Sequence, residues 1–383
     1  MAIQLKGITW NHSRGFLPMV ATSQRFSEMN ADVEISWEKR SLQEFADEPI
    51  QHLAEKYDLL VIDHPWAGFA ADKQILVPLE QHLPAGYLED QAANSVGKSH
   101  ESYNFDGYQS ALAIDAATPV ASFRPDLLER YEEAVPQTWD ELLRLAKRGL
   151  VIFPGIPIDS LMNFYMLCNS QGEDPCQQED IVVSREMGLL ALEQLRELAG
   201  YCTKEMFDWN PIKVYEAMTS RNDLAYCPFA YGYSNYSRPG YAKSLLIFDD
   251  MVRIGSHDKL RTTLGGTGLA ISVRCQHIDA ALQYAMYAAS AVCQKTLYTE
   301  AGGQPGHRGA WEDGELNRRN GAYFKNTLPA LDRAYMRPRY SGYLNFQDHA
   351  GDFVRDYMMH GGNADKVLEQ MNRLYGESKR GNA

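Results

Sequence analysis

The chain of 383 residues lacks every common signature of nucleophilic, zinc or phosphate chemistry. It contains no Gly-x-Ser-x-Gly elbow, no His-Glu-x-x-His pair and no P-loop, so nothing marks it as a hydrolase, a zinc protease or a nucleotide-binding enzyme. Six cysteines, at positions 168, 176, 202, 227, 275 and 293, form no Cys-x-x-Cys pair and no zinc spacing. Several, such as Cys168 and Cys293, stand in apolar stretches and read as buried thiols, which favours a reducing compartment; Cys168 and Cys176 leave one bridge open. No metal and no cofactor is expected. No apolar run approaches the roughly 18 residues of a membrane helix. The net charge is −13 and no basic block interrupts it. A nucleic acid or an anionic membrane surface would be repelled, so neither nucleic-acid binding nor membrane insertion is expected. The amino terminus, Met1-Ala2 followed by Ile3-Gln4-Leu5-Lys6-Gly7-Ile8-Thr9-Trp10, shows no basic region, apolar core or small-residue cleavage site. As written it implies a cytoplasmic protein; a trimmed leader would make it periplasmic.

What is present is an alternation of strand and helix in a chain long enough for two lobes. Ile3–Thr9 reads as a strand, Phe16–Met29 as a helix and Val33–Trp37 as a strand with period-two alternation. Ser41 and Glu44 have the spacing of a capping box, predicting a helix to about Lys56. Tyr57–Ile62 is a nearly continuous apolar strand, as expected where both faces are covered. This β-α-β-α-β rhythm predicts a parallel α/β sheet, on which ligands collect beyond the strands' carboxyl ends. Trp10, His12 and Arg14 follow the first strand, and Asp63, His64 and Trp66 follow the third. Carboxylate, imidazole and indole at a strand end suit a hydroxyl-bearing ligand, through hydrogen bonds to the first two and C–H packing on the third. Farther on, Thr138 and Glu141 form a second capping box. Predicted helices cover Asp159–Asn169 and Ser184–Ala199, and one opens at Trp209-Asn210-Pro211. Helical spacing also runs through His277–Ala301, over Thr327–Tyr335 with Pro329 in the first turn, and within Ala350–Tyr375.

Four passages carry a family resemblance: 95–131, with Asp115 and Thr118-Pro119; Val135–Glu141; Ala225–Ser234, with Phe229, Tyr231 and Tyr233; and 262–311. The last holds Gly265-Gly266-Thr267-Gly268, a long helix, and Gly302-Gly303-Gln304-Pro305-Gly306-His307-Arg308. In this order they resemble the family 1 extracellular solute-binding proteins, the carbohydrate-type receptors of ABC importers. The resemblance covers essentially the whole chain. It implies a two-lobe periplasmic-binding-protein-like fold of type II, with a ligand cleft between lobes and three interlobe crossings. Lobe 1 would be 1–113 plus 262–312, and lobe 2 would be 118–260 plus 317–383. The hinge would lie near 113–118, 261–265 and 312–317. It implies ligand-binding roles for Asp115, Phe229, Tyr231, Tyr233, Gly266, Gln304 and Arg308, beside the strand-end residues above. A monomer capturing a small polar, sugar-like ligand by hinge closure, with an ABC permease as partner, is the expected function. The alternative is a cytoplasmic relative acting as a sensor or as an enzyme, with Asp63, His64 and Asp115 as its acid–base set.

Overall fold

The computed structural model describes residues 2–380; residue 1 and residues 381–383, at the ends of the two assigned lobes, lie outside it. The chain forms two compact units. The first takes the residues up to Ala117, then Gly265–Leu316 and Arg339–Ser341; the second takes Thr118–Leu264, Asn317–Pro338 and the chain from Gly342 onward. The sequence reading puts all of 317–383 in one lobe, whereas Arg339–Ser341 belongs to the first unit. The cause is local: Arg339 Nη1 donates to the carbonyls of Glu101 at 2.9 Å, Ser102 at 3.1 Å and Asn104, and its guanidinium lies over the Phe105 ring.

The first unit is built on a five-stranded sheet in the order β2 (Val33–Arg40), β1 (Ile3–Trp10), β3 (Leu59–Ile62), then strands Gly265–Ile271 and Leu112–Ala117. β1 runs parallel to both β2 and β3, as the alternation of strand and helix predicts. Gly265–Ile271 returns antiparallel between β3 and Leu112–Ala117. Helix α1 (Ser13–Met29) and helix Ile278–Ala289 cover one face, where Met19, Phe26, Tyr284 and Ala285 meet Leu5, Val61, Ile114 and Leu269. All four residues of β3 are fully buried, which is why that run carries no polar alternation.

The second unit has a three-stranded antiparallel sheet with Pro119–Phe123 between Tyr226–Tyr231 and Ile247–Asp249. Val151 adds a parallel bridge to Tyr226. Helices Pro157–Ser170, Arg185–Gly200, Tyr343–His360 and Ala364–Lys379 pack on one another. Both capping boxes are formed, at Ser41 with Glu44 and at Thr138 with Glu141. Among the described residues no helix is long and apolar enough to cross a membrane.

Four expected helices differ from the observed ones. The 41–56 helix is two pieces, Leu42–Asp47 and Ile50–Ala54, because Pro49 lacks an N–H and drives Glu48 out of the helical region, to ψ 121°. The 277–301 helix stops at Ala289, where Ser290 turns extended and caps the next turn through its own hydroxyl. The 350–375 helix is divided into Tyr343–His360 and Ala364–Lys379 by Gly361 and Gly362, whose positive φ angles of 70° and 119° end the first piece. The expected 327–335 helix begins earlier, at Tyr323, and ends at Asp332, so Pro329 lies inside it.

Candidate functional site

In the first unit the candidate residues gather at the carboxyl ends of β1 and β3 and on the two strands beside them. Trp10 is the last residue of β1 and belongs to the hydrophobic core, with its ring 5.4 Å from that of Phe45. His12 caps α1: its Nδ1 accepts from the Arg14 backbone N–H at 3.0 Å. Burial first, and then the nearby Arg14 charge, lowers the imidazole pKa to about 4, so His12 is neutral at physiological pH.

Arg14, one turn into α1, reaches Asp115 in strand Leu112–Ala117. Its Nε donates to Asp115 Oδ2 at 2.9 Å and its Nη2 to Oδ1. The pair is a buried fork, with side-chain exposures of 5% and 0%. Burial pushes the Asp115 carboxyl upward, while the guanidinium and the Gln304 backbone pull it back. Gly266 lies beside Asp115, with φ 105°; a Cβ there would stand 2.3 Å from the Asp115 carbonyl oxygen, so only glycine fits. Gln304 is buried and laced to the same strand, donating from Nε2 to Ala116 O at 2.9 Å and accepting from Ala116 N at 3.0 Å. Arg308 begins the short helix Arg308–Trp311; its backbone N–H bonds Asn94 O at 2.7 Å and its side chain reaches Glu312 at 3.3 Å.

The loop after β3 folds as one turn of 3₁₀ helix, His64–Trp66. Asp63 caps it through Oδ1, 2.8 Å from the His64 backbone N–H and 3.2 Å from His64 Nδ1. His64 is buried, edge-on to Tyr103 at 6.5 Å, and Tyr103 donates its hydroxyl to Ile62 O at 3.2 Å. Trp66 is 8% exposed and packs edge-on to Phe69. The first unit therefore brings together His12, Arg14 and Asp115 as one group, and Asp63, His64 and Trp66 as another.

In the second unit Phe229 is fully buried between Trp139 and Phe153, which is a core position. Tyr231 ends strand Tyr226–Tyr231, half-buried, with its hydroxyl 2.9 Å from Thr263 Oγ1. Tyr233 is buried against Tyr215 at 6.2 Å, and Tyr215 holds the strand end by donating to Ala230 O and Tyr231 O. Two residues escape sequence reasoning. Tyr103, the support of His64, lies 39 positions away with no local signal. Asp159 reads as an ordinary first-turn acid of a helix, but it is buried.

Two α/β units of this topology define the class of two-lobe periplasmic binding proteins. Maltose-bound MalE3 of T. maritima superposes with a TM-score of 0.84 at 18% identity, over 99% of this chain and 100% of that one. An ABC-transporter solute-binding protein of Agrobacterium radiobacter K84 in complex with ribitol gives 0.83 at 17% identity, over 98% of each chain. The GacH receptor of Streptomyces glaucescens, studied unliganded and with acarbose, gives 0.81 at 16% identity over 99% of each. Comparison with curated proteins finds no match. The chain belongs to the bacterial extracellular solute-binding protein family, whose description matches residues 21–318.

Proposed function

We propose that this family member captures a neutral, polyhydroxylated solute of sugar or polyol type by closing its two units about it, and delivers it as a monomer to an ABC permease. The Arg14–Asp115 fork carries the reading. A guanidinium at a strand's carboxyl end would otherwise be the natural seat of an anion, but here a carboxylate already satisfies it in bidentate geometry. What this leaves for a solute are the indole of Trp66, the tyrosines at and just beyond the end of strand Tyr226–Tyr231, and the polar groups of Asp63 and His64, the mixture that suits C–H surface and hydroxyls. Structural neighbours carry maltose, ribitol, α-D-tagatose and D-mannitol. The same fork weakens the acid–base alternative, since Asp115 would have to act as a base while bound to Arg14. The residues proposed to touch the solute are Asp63, His64 and Trp66 on the first unit and Tyr231 and Tyr233 on the second. The six free thiols support a reducing compartment.

The test is a thermal-shift and calorimetric panel of maltose, ribitol, tagatose and mannitol against small carboxylates. A binder present at about 100 times its Kd stabilises the native state by about 2.7 kcal/mol. Stabilisation by a polyol or sugar is the expected result, with a smaller scattering radius in its presence. Stabilisation by carboxylates alone would overturn the reading.

A further inference from the structure

Two of the chain's crossings between units run side by side. The first unit breaks off at Ala117 and resumes at Gly265, and these two residues are paired across strands Leu112–Ala117 and Gly265–Ile271. The backbone ladder of those strands stops at that pair. Beyond it Pro119 has no N–H to contribute, and the bonds between the two chain segments pass to side chains. Thr118, Thr262 and Thr263 supply them, all buried, with exposures of 3%, 0% and 0%. The Thr118 hydroxyl lies 2.6 Å from that of Thr262 and 2.9 Å from the Thr263 carbonyl oxygen; the Thr262 hydroxyl lies 3.1 Å from the Pro119 carbonyl oxygen. Each hydroxyl has one proton, so the short contact is satisfied in one of two ways. Either Thr118 donates to Thr262 and Thr262 to Pro119, or Thr262 donates to Thr118 and Thr118 to Thr263. Both ways tie 118–119 to 262–263.

This clasp is held from both sides. Gly232 N donates to Thr118 O at 3.2 Å, Tyr335 N to Thr262 O at 2.7 Å and Leu264 N to Tyr335 O at 2.6 Å. Tyr231 joins it through its hydroxyl, 2.9 Å from Thr263 Oγ1. Every residue of the network belongs to the second unit, and the ladder that ends at Ala117 and Gly265 belongs to the first. A buried hydroxyl costs free energy unless it is bonded, and valine has nearly the same shape without that demand. Three threonines at one buried place are therefore explained by the bonds they make. With the clasp on one side and the ladder on the other, what remains to bend in these two crossings is one peptide link each: Ala117–Thr118 and Leu264–Gly265. Both links have a small residue on the first-unit side, which suits a chain that must absorb a change in backbone angle.

We propose that Thr118, Thr262 and Thr263 are positioning residues for solute capture: their hydroxyl clasp confines the bending of these two crossings to the links Ala117–Thr118 and Leu264–Gly265, and holds Tyr231, through Thr263, at a fixed place beside the bend. The proposal rests on the closure reading above. It narrows the hinge from the broad stretches 113–118 and 261–265 to a pair of adjacent links. Released from the clasp, segments 118–119 and 262–263 would flex separately, and the unliganded protein would sample a wider range of openings.

The experiment compares the full chain as wild type, Thr118→Val, Thr262→Val and Thr118→Ser by amide hydrogen exchange. The same proteins are examined by spin-label distance measurement, with one label on an exposed position of each unit, Glu34→Cys and Glu197→Cys. Loss of one hydrogen bond raises local opening about three- to tenfold. The Gly232 and Leu264 amides should exchange faster by that factor in both valine variants, while the Gln74 amide of the first unit, bonded to Ala70 O, keeps its rate. Without solute, the distance distribution should broaden in the valine variants. Thr118→Ser keeps the hydroxyl and should match wild type in both readouts. Unchanged exchange in folded valine variants overturns the proposal. So does faster exchange with an unchanged distribution, which would make the hydroxyls packing bonds only. Melting curves show which variants fold. Should neither valine variant fold, wild type decides: Gly232 and Leu264 amides as protected as those of strand Tyr226–Tyr231 support the clasp, and amides that exchange as fast as exposed loops overturn it. A wild-type distance that shortens with none of maltose, ribitol, tagatose and mannitol overturns the sugar or polyol closure reading, and the unliganded distributions still decide the clasp.

Discussion

Asp115 and Asp159 are both buried carboxyls, one in each unit, and the two positions handle the same physical problem differently. In the first unit Arg14 meets Asp115 with a bidentate fork, so an ion pair is buried whole. In the second unit no cation among the described residues meets Asp159, and the acid holds its proton instead. Burying an unpaired ion costs several kcal/mol, and a protein avoids that cost either by supplying a counter-charge or by neutralising the group. The second makes the group a titratable element in the middle of the physiological range. The lesson is that burial of an acid says little about its charge until its partners are known.

The sharpest way to break the comparison is to remove one half of the paired site. Arg14→Met should leave Asp115 buried without its cation and cost about 3–5 kcal/mol of unfolding free energy, measured by denaturant titration. Adding Asp115→Leu to it should recover most of that loss, because the orphaned charge disappears. A double variant as unstable as the single one would mean that the fork holds the first unit together by its geometry and not by charge balance.

The next largest effect concerns the aromatic that stands beside polar groups in the first unit. Trp66→Ala should weaken solute binding by about 2 kcal/mol, roughly thirtyfold, while the melting temperature stays near that of wild type. A loss of about 3–5 kcal/mol in stability with unchanged affinity would place Trp66 with Phe229 as packing.

A smaller effect sharpens the unpaired half. The folded pKa of Asp159 is raised, so between the ordinary carboxyl range and about 8 the native state keeps a proton that the unfolded chain has lost. Its contribution to stability therefore falls as pH rises from about 4 to about 8 and levels off above that. Asp159→Asn should be close to wild type in stability at about pH 4 and more stable by about 1–2 kcal/mol at about pH 8, a discounted figure because the amide must also be buried. Equal stability at both pH values would show that Asp159 ionises normally and would remove the contrast with Asp115.

The smallest expected effect is on the thiols. Burial raises the pKa of all six cysteines, to about 11 for Cys275 and Cys293 and to about 12 for Cys176 and Cys202, so the folded protein should react slowly with thiol reagents in both units. Unfolded without reductant, it should titrate close to six free thiols. A count near four would reveal a disulfide and argue for an oxidising compartment.

Much of the local structure was legible in the chain. Ser41 with Glu44 and Thr138 with Glu141 announced helix starts, since a cap needs only residues three positions apart. The apolar run that became β3 announced a strand covered on both faces. The order of the glycine-rich strand, helix and GGQPGHR loop pointed to the family to which the chain belongs. The breaks at Pro49 and at Gly361-Gly362 were written in the sequence too, but apolar periodicity ran across them and masked the stop. What the tertiary structure decided is which polar residues have partners. Arg14 and Asp115 are 101 positions apart, and no local pattern couples them. Asp159 has the sequence context of a solvated first-turn acid, and only the packing of its helix against the rest of the second unit takes it out of water. Capping and periodicity act through near neighbours along the chain, so the sequence determines them by itself. Desolvation and ion pairing depend on groups that folding alone brings within a few ångströms, so they were settled when the units closed their cores.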